Sequence, residues 1–131
     1  MFGLKTLSLV ALILLLQSCS NASKKYNIVG IWDSDCIDTS DNSRYDSTVV
    51  IYDSDLSFES HSKSRTQPTL LSGSYKASRN KLVKTYKKSN KRSHQAKLPL
   101  TQTTDLKWID DNSILMTIGS NRCTATRASS N

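Results

Sequence analysis

Two histidines, His61 and His94, are the first residues to consider for acid–base catalysis. Both stand in polar, basic stretches, and neither has an acidic residue next to it, so we expect surface histidines rather than a catalytic base. The serines lack the G-x-S-x-G pattern of a nucleophile elbow, and no glycine-rich loop is present to hold a phosphate. We therefore predict that the chain is not an enzyme and needs no cofactor.

Metal binding is not predicted either. The acidic residues that could bind a cation cluster early in the chain, at Asp33, Asp35, Asp38, Asp41 and Asp46. Their spacing does not match the D-x-[DN]-x-[DN]-G calcium loop, and we expect them to form turns and loops. Two cysteines and the two histidines likewise lie at no recognised zinc-ligand spacing.

The amino terminus combines a short apolar run with a cysteine motif. Residues 7–16 are almost entirely aliphatic, but the run is half the length of about 20 residues that a membrane span needs, which is typical of a signal peptide. The following Leu16-Gln17-Ser18-Cys19 resembles the lipobox of bacterial lipoproteins. This resemblance implies cleavage before Cys19 and acylation of Cys19, which would anchor the protein in a membrane through several acyl chains. Ser20 in place of Asp implies an outer-membrane lipoprotein that faces the periplasm.

Length and composition fit one globular domain. The chain has 131 residues, of which 37% are hydrophobic and 22% charged, and this excludes collagen-like and low-complexity proteins. We expect a signal peptide at 1–18, a polar tether at 19–26 and one domain at 27–131.

Cys36 and Cys123 remain once Cys19 is assigned to lipidation. An even count in an oxidising compartment favours one disulfide, although two buried free thiols would also be compatible with the sequence. A bridge between these positions would close a loop worth about 4–5 kcal/mol in the chain-entropy model.

Residues with period-two alternation recur between polar turn clusters, and no helical stripe is evident. The pattern predicts eight strands, at roughly 28–36, 46–53, 56–62, 70–77, 81–87, 103–109, 113–118 and 122–127. Short connections favour an antiparallel up-and-down meander, and closure into a small all-β barrel would remove its two exposed edges. The expected inward side chains are Trp32, Ile51, Leu56, Phe58, Leu82, Tyr86, Leu106, Trp108, Ile114, Met116 and Ile118.

The two cysteines suggest a register for the closing pair of strands. If Cys36 on the first strand faces Cys123 on the eighth, Trp32 lies opposite Arg127. Both offsets are even, so the disulfide, Trp32 and Arg127 share one face. We expect the Arg127 guanidinium to pack on the Trp32 indole, with a cation–π energy of roughly 0.5–2 kcal/mol.

Gly30-Ile31-Trp32 at the start of the first strand, together with the late Arg127, resembles the lipocalin family. The resemblance covers 28–127 and implies an eight-stranded up-and-down barrel with an apolar ligand cavity. It assigns Gly30, Trp32 and Arg127 to closure of the barrel. A small barrel could also be filled by its own side chains, and the sequence leaves both possibilities open.

Charge is segregated along the chain. The stretch 19–60 has three basic and eight acidic residues, whereas 61–100 has eleven basic residues and no acid. The densest cations could bind an anion: Lys84, Lys87, Lys88, Lys91, Arg92 and Lys97. The alternative is a solvated loop that meets the acidic first third of its own barrel.

We therefore carry two hypotheses. The first is a non-enzymatic envelope lipoprotein whose barrel binds a small apolar or amphipathic ligand. The second is an interaction or inhibitor protein whose basic 81–97 region docks an anionic envelope component or an acidic protein. Nucleic acid is not an expected partner, because the compartment holds little of it and aromatic residues are sparse around the cations.

Overall fold

The computed structural model describes residues 26–63 and 67–128. It contains eight strands and a single helical turn, α1 (Arg92–Gln95). The strands are β1 (Gly30–Asp38), β2 (Thr48–Tyr52), β3 (Ser57–Ser62), β4 (Leu70–Ala77), β5 (Lys81–Ser89), β6 (Leu100–Asp110), β7 (Ser113–Ile118) and β8 (Asn121–Arg127). The predicted signal peptide 1–18, Cys19 and nearly all of the tether lie outside the described residues.

The predicted all-β barrel is confirmed. Each strand pairs antiparallel with the next one in sequence, and β8 returns to pair with β1 in a closed up-and-down barrel. Closure gives every strand two neighbours, so none of the eight presents an unpaired edge.

The seam between β1 and β8 has the predicted register. Cys36 lies opposite Cys123 and Trp32 lies opposite Arg127. Cys36 and Cys123 form a disulfide, as expected. Covalent and hydrogen-bonded closure therefore occur in the same pair of strands.

The two ends of the barrel differ. At the closed end, the segment before β1 inserts Ile28 into the core, and the Trp32 indole Nε1 donates to the Ile28 carbonyl at 2.8 Å. The Tyr75 hydroxyl donates to the Asp53 carbonyl at 2.7 Å and secures the neighbouring turn. The open end carries the connections that follow β1, β3, β5 and β7.

Two of the expected inward residues point elsewhere. Ile51 is on the outer face of β2, because the pairing of Trp32 with Val50 places Val50 and Tyr52 on the inner face. Leu56 is not in a strand: it has a φ of 69° in the turn before β3 and is 52% exposed. The run 48–52 is apolar on both faces, so its alternation alone does not identify the inner one.

A bulge between β4 and β5 changes which side chains of β5 face outward. Gly73 pairs with Tyr86 and Ser72 pairs with Lys88, so Lys87 is the extra residue. A Cβ at Gly73 would overlap the backbone carbonyl oxygen of Thr85. Glycine is therefore required for the close approach of the two strands at this point.

Candidate ligand-binding cavity

The half of the barrel interior at the open end contains a cavity of about 160 Å³, called here the open-end cavity. Part of the cavity lining is apolar. These apolar groups are Trp32, Val50, Met116, Ile118, Ala125 and the Cys36–Cys123 disulfide.

Polar groups line the remaining wall. They are the hydroxyls of Ser34, Thr48, Ser60, Tyr52 and Tyr86 and the amide of Gln102. The Tyr86 hydroxyl donates to Gln102 Oε1 at 3.1 Å. The cavity thus offers both hydrocarbon contact and hydrogen bonds within one small space.

Lys84 is the one charged side chain that lines the open-end cavity. It lies between Leu82 and Tyr86 on the inward face of β5 and is only 8% exposed. Its Nζ is 5.6 Å from the centre of the Phe58 ring and 5.4 Å from that of Tyr86, within cation–π range. Alternation along β5 explains this position, since residues 82, 84 and 86 must share a face.

Tyr52 and Lys84 influence the ionisation of each other. Burial raises the pKa of the Tyr52 hydroxyl above its ordinary value, although Lys84 opposes this rise. Burial alone lowers the pKa of Lys84, but interactions with the Tyr52 and Tyr86 hydroxyls act in the opposite direction, and the pKa is raised overall. The Lys84 amine therefore lies among aromatic rings and hydroxyls, with burial and these neighbours acting on its pKa in opposite directions.

A second cavity, of about 290 Å³, adjoins the first and is called here the side cavity. It shares Tyr86 and Gln102 with the open-end cavity. Leu71, Leu98 and Leu100 supply most of its wall, with His94 and Lys97 beside them. The Tyr86–Gln102 hydrogen bond is therefore part of the wall of both cavities.

The six predicted anion-binding residues occupy different places on the barrel. Lys84 is inside the barrel. Lys87 and Lys88 are exposed on its outer wall, in a shallow depression that also contains Asp53, Asp55 and Glu59. The remaining three, Lys91, Arg92 and Lys97, lie on the α1 segment at the open end. The six residues are close together in sequence, but Lys84 alone among them is buried inside the barrel.

Arg127 connects three segments at the closed end. Its guanidinium carbon lies 4.3 Å from the centre of the Trp32 ring. Its two terminal nitrogens donate to the carbonyls of Val29 at 2.8 Å, Asn27 at 2.7 Å and Asp111 at 3.0 Å. Gly30, with a φ of 140°, admits this group, because a Cβ there would lie 2.6 Å from Arg127 Nη1.

The histidines and aspartates considered for chemistry lie outside the cavity floor. His61 is exposed on β3, with Nε2 3.3 Å from a Glu59 carboxylate oxygen, and His94 is exposed on α1. Asp38 and Asp41 accept hydrogen bonds from the backbone amides two residues later, as turn-forming aspartates do. Within 26–63 and 67–128, no three His, Cys, Asp or Glu side chains are grouped as a metal site would require.

The sequence analysis missed the central polar residues of the cavity. It left Tyr52 and Gln102 unassigned and treated Lys84 as part of an external patch. A parity count from Leu82 and Tyr86, both predicted to face inward, would have placed Lys84 between them on the same face.

Comparison with known proteins supports the fold. A solved crystal structure of an uncharacterised protein from Bacteroides eggerthii superposes with a TM-score of 0.59 at 13% identity, over 78% of this chain and 100% of the other. No protein-family model matches the chain, and no curated protein matches it. In the part of the chain that the structure describes, no helix has the length and hydrophobicity of a bilayer span.

Proposed function

We propose that this protein is a lipid-anchored lipoprotein of the bacterial envelope whose lipocalin-like barrel binds a small amphipathic ligand in the open-end cavity. The observation that carries the proposal is a cavity of about 160 Å³ that is lined by both apolar groups and hydrogen-bonding groups. Ligand sites combine an apolar lining with a few placed polar groups in this way. A dry cavity of about 150 Å³ can hold a benzene-sized molecule, which sets the scale of the buried part of the ligand.

The lipobox resemblance supports the lipid anchor. The position of the tether on the barrel suggests how the barrel would be oriented relative to the membrane. The tether joins the barrel through Tyr26, which precedes β1 at the closed end. A protein held through Cys19 would therefore present its closed end to the anchoring leaflet. In this arrangement the open-end cavity faces the periplasm, where a soluble ligand would reach it.

Cavity occupancy is tested by a filling variant. Ala125 lines the cavity and pairs with Ser34, so Ala125→Leu would occupy ligand space. Thr126→Leu makes the same kind of change on the exposed outer face of β8 and is the matched control. Native mass spectrometry of envelope-purified protein should detect a retained small molecule in the wild type and in Thr126→Leu, but not in Ala125→Leu. Equal retention in all three, or none in the wild type together with no binding from a panel of small amphiphiles, would reject the proposal.

The second candidate function is docking of an anionic partner by the cations at the open end. Arg92 is exposed there and Lys88 is exposed on the outer wall, and neither has a salt-bridge partner among the described residues. Charge reversal at Lys87, Lys88 and Lys91 should then abolish salt-sensitive capture of a defined envelope component. If capture is unchanged, the ligand-binding proposal stands alone.

A further inference from the structure

Lys84 is a buried cation without a counterion. Its side chain is more than nine-tenths buried and belongs to the lining of the open-end cavity. The salt bridges in the described part of the chain are His61–Glu59 and Lys63–Asp33, and neither involves it. A buried ammonium is costly unless an opposite charge or good hydrogen bonds compensate it.

The groups that face Lys84 stabilise a cation only in part. The Tyr52 and Tyr86 hydroxyls lie beside it, and the Phe58 and Tyr86 rings are within 5.6 Å of its Nζ. None of these groups is a carboxylate, and burial raises the pKa of the Tyr52 hydroxyl above its ordinary value of 10.0. The negative charge that would complete the site has to come from outside the described protein.

We propose that the ligand supplies this charge as a carboxylate: the open-end cavity binds a small monocarboxylate amphiphile, with its carboxylate against Lys84 Nζ. This inference rests on the proposed function and names the ligand class. The Tyr52 hydroxyl lies beside Lys84 and can donate to the second carboxylate oxygen, whereas the Tyr86 hydroxyl already donates to Gln102. Charge-assisted hydrogen bonds of this kind are about twice as strong as neutral ones.

A carboxylate fits this site better than a phosphate does. Lys84 is the one cation in the lining, and no arginine is present to bind phosphate oxygens in a bidentate manner. A phosphate dianion would leave one negative charge buried and unpaired. A monocarboxylate matches the single ammonium charge for charge.

The hydrocarbon part has two apolar surfaces available. Within the open-end cavity these are Val50, Met116 and Ile118, and beyond the Tyr86–Gln102 pair the side cavity adds Leu71, Leu98 and Leu100. A chain of about eight carbons would place its carboxylate at Lys84 and bury its tail along these groups.

The test compares octanoate with octanamide and octan-1-ol, which share the tail but lack the charge. The full chain, processed by a bacterial host and exchanged from detergent into lipid nanodiscs, is titrated by tryptophan fluorescence, because Trp32 lines the cavity. Empty nanodiscs and Ala125→Leu correct for partition into lipid. We expect the wild type to bind octanoate at least tenfold more tightly than either neutral probe.

Lys84→Met should remove this preference, leaving the three probes within about threefold of one another. Lys88→Met makes the same substitution on the exposed outer wall of the same strand and should retain the tenfold preference. Lys84→Gln serves as a second variant with an uncharged polar side chain. The comparison of the three probes uses the wild type alone, so it remains valid if a Lys84 variant does not fold.

The possible outcomes separate the two proposals. Binding of all three probes with equal affinity, blocked by Ala125→Leu, would overturn the carboxylate inference and leave the amphiphile-binding function intact. Tighter binding of inorganic phosphate than of octanoate, measured by competition between the two, would also overturn it. A carboxylate preference that persists in Lys84→Met would show that another residue selects the carboxylate, and it would overturn the role proposed for Lys84. No binding of any probe by the wild type would overturn the inference, and the filling-variant experiment would then decide the broader function.

Discussion

Arg127 packs on Trp32 across the seam of the barrel, with 4.3 Å between the guanidinium carbon and the centre of the indole. The two residues are direct partners in the β1–β8 pairing. Arg127 also holds the segment before β1 and the β6–β7 turn through three backbone carbonyls. One side chain therefore joins the first strand, the last strand and the closed end.

Arg127→Lys should destabilise the barrel although it keeps the charge. An ammonium lacks the planar fork that stacks on Trp32 while donating to three carbonyls. We expect a loss of about 2–3 kcal/mol in the free energy of unfolding, measured by urea denaturation. Arg122→Lys, on the exposed face of β8, is the control and should change little. An unchanged free energy of unfolding for Arg127→Lys would show that the contacts of the guanidinium do not stabilise the barrel.

Gly30→Ala should act through Arg127. An added Cβ would stand 2.6 Å from Arg127 Nη1 and displace the guanidinium. The positive φ of Gly30 adds strain for any other residue. We expect about 2 kcal/mol of destabilisation and, in a double-mutant cycle with Arg127→Ala, a coupling of at least about 1 kcal/mol. Additive effects in the cycle would show that the two residues act independently.

Reduction of the disulfide should lower stability without abolishing the strand order. The Cys36–Cys123 bridge spans 87 positions, for which the chain-entropy model gives about 4–5 kcal/mol. The Cys36→Ser/Cys123→Ser variant should therefore melt at a clearly lower temperature than the oxidised wild type. Adding a reductant should shift the wild type to the melting temperature of the variant and leave the variant unchanged. Equal melting temperatures with and without the bridge would contradict this prediction.

Lys84→Met should leave the stability of the ligand-free barrel almost unchanged. The substitution replaces a buried ammonium that has no counterion by an apolar side chain of similar length. Burial disfavours the charged form, while Tyr52, Tyr86 and cation–π contacts of roughly 0.5–2 kcal/mol favour it, so we expect a change of less than about 1 kcal/mol. Thermal unfolding followed by circular dichroism measures the shift. A marked fall in melting temperature would assign Lys84 a structural role rather than a ligand-binding one.

Acid should destabilise the protein through its turn aspartates. Side-chain and backbone hydrogen bonds from the serine two residues later hold the pKa values of Asp38, Asp41 and Asp55 below their ordinary value of 3.8. A lowered pKa in the folded state stabilises the fold above pH 3.8, and this contribution is lost as the pH falls through the lowered value. Urea denaturation at pH 7 and at pH 2.5 should show the loss. The variant Asp55→Asn, which still accepts a hydrogen bond, should reduce the difference between the two pH values.

The strand pattern and the seam could be predicted from local information. Alternation and turn residues located all eight strands, although the bounds moved by up to three residues, as in β6, which begins at Leu100. The register of Cys36 with Cys123 placed Trp32 opposite Arg127 because side-chain orientation repeats every two residues. The prediction succeeded where one covalent link fixed the alignment of two strands.

The interior of the open end was decided by tertiary structure. In β2, both faces are apolar in sequence, and only the pairing of Val50 with Trp32 turned Tyr52 inward and Ile51 outward. In β5, four lysines look alike in sequence, but alternation places Lys84 inside, and the bulge opposite Gly73 turns Lys88 outward together with Lys87. Sequence by itself determined which segments are strands and which two of them meet, because these depend on local alternation and on one bond. Only closure of the barrel decided what surrounds Lys84, because the groups around it come from several strands that are distant in sequence.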